Sequence, residues 1–117
     1  MKTPLRILLA GMAFLLLLNA GVSNAQYVRG YITSSCEEWV EESKKASLDL
    51  DKATLEAAML AYLSGFAAGT RKDFLKDSDW PSIGLWINNY CAANPLDELW
   101  QAAEKLAFEL IRRQGIE

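Results

Sequence analysis

The sequence predicts a small all-α domain of four helices, stapled by one disulfide and preceded by a cleavable export signal. Three observations predict it. The N-terminus has the layout of a secretory leader, the remaining chain holds two cysteines, and apolar residues recur there at spacings of three and four. An exported chain meets an oxidising compartment, in which a pair of cysteines reads as a structural bridge.

The leader comes first. Lys2 and Arg6 supply positive charge, Ile7 to Leu18 is a 12-residue apolar run, and Ser23-Asn24-Ala25 offers small residues before a cut. A membrane-spanning helix needs about 20 apolar residues, and this run breaks at Asn19. The reading is residues 1–25 as signal peptide and 26–117 as one periplasmic helical domain, with no membrane attachment after cleavage. Ninety-two residues make one small core, for which a cross-link is a substantial support.

Lys2 and Arg6 leave with the leader. The rest carries 10 basic against 15 acidic side chains, a formal charge of −5. The basic residues are scattered, with pairs such as Lys44-Lys45, Arg71-Lys72 and Arg112-Arg113 as the longest runs. Nucleic-acid binding needs a basic patch, so that class is set aside. Histidine is absent, which removes His-based triads, His metal sites and a histidine pH switch.

Gln26 to Thr33 reads as a short lead, an ordered or flexible arm. Ser35 is placed to cap the first helix, with Glu38 three residues on completing a capping box. That helix is expected from Cys36 to about Lys45, with Cys36, Trp39 and Val40 on one face and its acids ahead of its lysines, which suits the helix dipole. The second helix is expected from about Lys52 to Ala68. Leu55, Met59, Tyr62, Leu63 and Phe66 form its apolar face, and Ala61, Gly65 and Gly69 recur every four residues, as in helices that allow close approach. Arg71 to Asp79 is a charged loop.

Pro81 fits the first turn of a third helix capped by Asp79 or Trp80. Ile83, Trp86, Ile87, Tyr90 and Cys91 follow helical periodicity. Cys91 then lies on the buried face of the third helix as Cys36 does on that of the first, so the bridge pins the two together. Asn94 is placed to cap a fourth helix with Pro95 at its first position. Leu96, Leu99, Ala103, Leu106, Ala107 and Leu110 form its inner stripe, and Gly115 lies past its end.

A Cys36–Cys91 loop spanning 55 positions is worth roughly 4 kcal/mol on chain-entropy grounds. Redox catalysis favours Cys-x-x-Cys, which is lacking. Ser64 has neither a nucleophile elbow nor a histidine. The carboxylate pairs Glu37-Glu38, Glu41-Glu42 and Asp77/Asp79 match no calcium loop. The expectation is therefore a binding protein with no catalytic residues, no cofactor and no metal. Its partner surface is expected at Trp80 or along Leu55, Met59, Tyr62 and Phe66, with a homodimer as one form.

Two stretches resemble a known family. Ser35-Cys36-Glu37-Glu38-Trp39-Val40 opens the first helix, and Ile87-Asn88-Asn89-Tyr90-Cys91-Ala92-Ala93-Asn94-Pro95 closes the third. Together they resemble the small periplasmic acid-stress chaperones of the HdeA/HdeB type. That resemblance implies a helical fold, one disulfide and holdase activity toward unfolding protein clients in acid. The middle stretch, Ala61-Tyr62-Leu63-Ser64-Gly65-Phe66-Ala67-Ala68-Gly69, is similar instead to exported immunity proteins against type VI secretion amidase effectors. It implies a neutral-pH inhibitor binding through the Asp73 to Asp79 loop and Trp80. A third reading is a structural periplasmic protein.

Overall fold

Ser35 begins the first helix by accepting the Glu38 N–H on its hydroxyl at 3.1 Å. In the computed structural model, which describes residues 29–117, this helix is α1, Cys36–Ser43. The other three are α2, Leu50–Thr70, α3, Trp80–Ala93, and α4, Leu99–Gln114. The fold is all-α, as expected, with a single Cys36–Cys91 disulfide. The expected leader and Gln26 to Val28 lie outside the described residues. Among the described residues no helix is long and apolar enough to cross a membrane.

The described end of the lead is ordered. Tyr31–Thr33 form one 3₁₀ turn that buries Ile32 in the core. Helix α1 stops at Ser43, two residues earlier than expected. Lys44 and Lys45 pair back to Glu41 and Glu42 at 2.8 and 2.7 Å. The Lys52 ammonium donates to the Ser43 carbonyl at the helix end at 3.4 Å and to the Lys45 carbonyl just past it at 3.2 Å. Helix α2 starts two residues early because Asp49 accepts the Asp51 and Lys52 N–H groups, both at 3.1 Å.

Leu55, Met59 and Leu63 are the buried side of α2, and Tyr62 and Phe66 are half-buried beside them. The Ala61, Gly65 and Gly69 stripe, expected to pack closely, is exposed. A Cβ added to Gly65 or Gly69 would meet nothing within 4 Å. This helix is apolar nearly all round, and among the described residues it has neighbours on one side only. Its larger side chains take that side because they remove more apolar area from water.

Helix α3 is capped by Asp79, which accepts the Ser82 N–H at 2.8 Å. Ile83, Ile87 and Cys91 are its buried face. Asn94 ends this helix instead of opening the next. Its side-chain amide donates to the Tyr90 carbonyl at 2.9 Å. Helix α4 begins five residues later, where the Glu98 N–H donates to Gln101 Oε1 at 2.8 Å.

Backbone bonding explains the shift. The Pro95 and Asp97 carbonyls accept N–H groups from the first turn of α1, Glu37 at 3.2 Å and Cys36 at 2.8 Å. The Leu99 N–H donates to Ser34 at 2.9 Å. A helix wound from Pro95 would need that N–H for itself. Leu96 is consequently 92 % exposed rather than on an inner stripe.

The core is one cluster beneath all four helices, with α1 packed chiefly on α3 and α2 on α4. Phe74, from the charged loop between α2 and α3, is fully buried in it. The Gln114 amide donates to the Phe74 carbonyl at 2.6 Å and ties that loop to the end of α4.

Candidate functional site

The bridge joins the first residue of α1 to the third-last residue of α3, with a Cα–Cα distance of 4.6 Å and both cysteines fully buried. It works together with the hydrogen bonds around it. The Trp39 indole donates to Asn88 Oδ1 at 2.5 Å. The Tyr90 hydroxyl donates to Asp97 Oδ2 at 2.5 Å, and its ring stacks on Trp86 with centroids 5.5 Å apart. Burial, then the Asp97 hydrogen bond and charge, push the Tyr90 phenol up to about 12. This tyrosine is therefore a constant donor across the acid and neutral range.

A second tyrosine–carboxylate contact joins α2 to α4. The Tyr62 hydroxyl donates to Glu104 Oε1 at 3.1 Å. Burial, then the Glu104 charge and hydrogen bond, push that phenol up to about 12 as well. Beside it, the Phe66 ring meets Phe108 edge-on at 5.7 Å and Phe74 at 6.1 Å. Phe108 is 57 % exposed, so this aromatic group runs from the core out to solvent.

The partner-binding residues expected from sequence divide by burial. Leu55 and Met59 are core residues, and a partner meets them only if the domain opens. Tyr62 and Phe66 are half-buried and present part of their rings between α2 and α4. Trp80 is half-buried and packs against the core instead of standing free in its loop. The exposed apolar residues are others, notably Leu48 at 93 %, Leu50 at 81 % and Leu96. Sequence periodicity passes over Leu48 and puts Leu96 on an inner stripe, whereas both lie in turns between helices.

Carboxylates also set the helix termini. Accepting the Ser82 backbone N–H and hydroxyl holds the Asp79 carboxyl below the usual range. The Arg112 and Arg113 guanidiniums hold Glu109 down at about 2, with contacts of 2.9 and 2.6 Å. Near the α1–α2 turn, carboxylate oxygens of Glu42, Asp49 and Asp51 lie within 4.8 Å of one another. One Glu42 oxygen there is buried and unbonded. The other accepts from the Lys45 ammonium, and Asp49 Oδ1 accepts two backbone N–H groups. Ser64 lies on the exposed side of α2 in a chain without histidine.

Fold and site together define a disulfide-stapled four-helix domain whose helix junctions are fastened by carboxylates. In comparisons with known proteins, no family model, no curated protein and no solved structure matches this chain.

Proposed function

We propose that the protein is an acid-loosened holdase of the periplasm, which shields unfolding protein clients from aggregation without a cofactor or an enzymatic step. One observation carries the reading: carboxylates fasten the helix junctions. Asp97 and Glu104 accept the two tyrosine hydroxyls, and Asp49 and Asp79 cap α2 and α3. At about pH 2.5 most carboxylates are protonated. A hydrogen bond to a protonated carboxyl lacks the charge-assisted strength of one to a carboxylate. The domain passes from −5 to roughly +10 with its 10 basic side chains, and self-repulsion favours opening.

The apolar side chains that a client needs are hidden at neutral pH. Leu55 and Met59 are buried, and Tyr62, Phe66 and Trp80 are half-buried. Opening uncovers them, and the Cys36–Cys91 bridge limits how far the chain extends. The HdeA/HdeB resemblance of the two cysteine segments agrees with this behaviour.

The test is light scattering of an acid-labile client at about pH 2.5 and at pH 7, with and without the protein. Substoichiometric to equimolar protein is expected to suppress aggregation only in acid. Equal protection, or none, at both pH values refutes the proposal.

A further inference from the structure

The described residues contain ten cationic side chains, and five of them have the following partners. Lys44, Lys45, Arg112 and Arg113 pair with carboxylates, and Lys52 donates to backbone carbonyls. Arg71, Lys72 and Lys76 form no ion pair with a described residue, although Asp73 and Asp77 alternate with them. These three cations line one hollow of about 590 Å³ between the α2–α3 loop and the end of α4, together with Gln114 and Ile116. A second hollow of about 300 Å³ adjoins it. It shares Arg71, Lys72 and Asp73 and continues along Ala67 and Ala68 of α2.

The walls are held in place. Buried Phe74 and the Gln114–Phe74 hydrogen bond anchor the loop. The Lys72 N–H closes the end of α2 on the Ala67 carbonyl at 3.2 Å, and the Ile116 N–H closes α4 on Ile111 at 3.3 Å. Arg71 itself has φ 55°, the only non-glycine residue with positive φ among those described. That position after a helix favours glycine, because a Cβ there meets the following carbonyl. A strained backbone at a cluster of unpaired charges is a reason to look for a ligand.

We infer that this groove binds an acidic peptide segment, carboxylates on Arg71, Lys72 and Lys76 and small apolar side chains along Ala67, Ala68 and Ile116. The inference is independent of acid loosening. Two joined hollows are too extended for a lone phosphate. The interleaved Asp73 and Asp77 carboxylates disfavour a densely charged polyanion, while they leave room for spaced carboxylates.

The probe is a fluorescein-labelled peptide alternating glutamate with alanine, followed by anisotropy at pH 7 with the oxidised protein. Saturable one-to-one binding is expected, and the glutamine counterpart is expected to bind about tenfold or more weakly. Arg71→Gly separates binding from folding: it should raise the thermal midpoint by a few degrees, because the backbone strain is relieved, while weakening the peptide several-fold. K72A/K76A should weaken it as well. Lys105→Ala, a charge change outside the groove, should leave it unchanged. The proposal is overturned by glutamine-peptide binding of equal strength, by an unaffected R71G protein, or by an equal loss with K105A. It is also overturned if inorganic phosphate or phosphatidylglycerol vesicles compete more tightly than the peptide.

Discussion

Replacing both cysteines by alanine tests how much of this fold the bridge sustains. The loop closed by Cys36–Cys91 spans 55 positions. Chain-entropy arithmetic gives about 14 cal/mol/K for that closure, or about 4 kcal/mol at 25 °C. A domain of this size has a net stability of roughly 5–10 kcal/mol. Both sulfurs are fully buried, so their removal adds about 1 kcal/mol each in lost apolar burial. At about 4–8 °C per kcal/mol, the loop term alone lowers the thermal midpoint by about 15–30 °C. The assay is circular dichroism melting at pH 7 of the wild type and C36A/C91A, with reduced wild type as a third sample. Reduced wild type keeps both sulfurs and separates the packing loss from the loop term. A fall of less than about 5 °C in both would refute the reasoning, because the helices would then hold each other without the covalent link. In the holdase assay, the same variant should lose protection in acid.

Phe74→Ala should destabilise by about 3–5 kcal/mol in urea titration, since its ring is fully buried, whereas Leu96→Ala should stay within about 0.5 kcal/mol. Asp79→Ala removes the cap of α3 and should lower the urea midpoint in the same measurement. Glu109 and Asp79 have lowered carboxyl pKa values in the folded protein, so their contribution is present above about pH 4 and is lost as pH falls toward 2. A urea midpoint that is flat between about pH 4 and 2 would contradict this. Tyr62 and Tyr90 have raised phenol values, so their contribution is intact below about pH 10 and is lost as pH rises through about 12. Ultraviolet difference titration should show two tyrosines ionising near pH 12, and one of them should vanish in Tyr90→Phe.

Helix type and number were legible in the sequence because caps and periodicity are local. Ser35, Asp79 and Gly115 sit at the termini where their chemistry places them. Boundaries that depend on distant backbone were not legible. Asn94-Pro95 has the local signature of a helix start, yet the carbonyls of Pro95 and Asp97 go to the first turn of α1. Phe74 sits among Arg71, Lys72, Asp73, Lys76 and Asp77, so no pattern marks it as core. The partner surface was legible only in part, because the same apolar stripe on α2 can be core or contact face.

What the sequence by itself determined is the set of local choices. It specifies four helices, two cysteines on inward faces, an acidic balance and no histidine. Tertiary structure decided which side of α2 is buried, how α4 is delayed to Leu99, and which carboxylates meet the tyrosines of another element. Those outcomes depend on groups separated by tens of residues, brought together by packing and hydrogen bonding. The groove at Arg71, Lys72 and Lys76 belongs with them. In the sequence these cations alternate with acids as an ordinary charged loop, and only the anchored Phe74 and the end of α4 turn them toward one hollow.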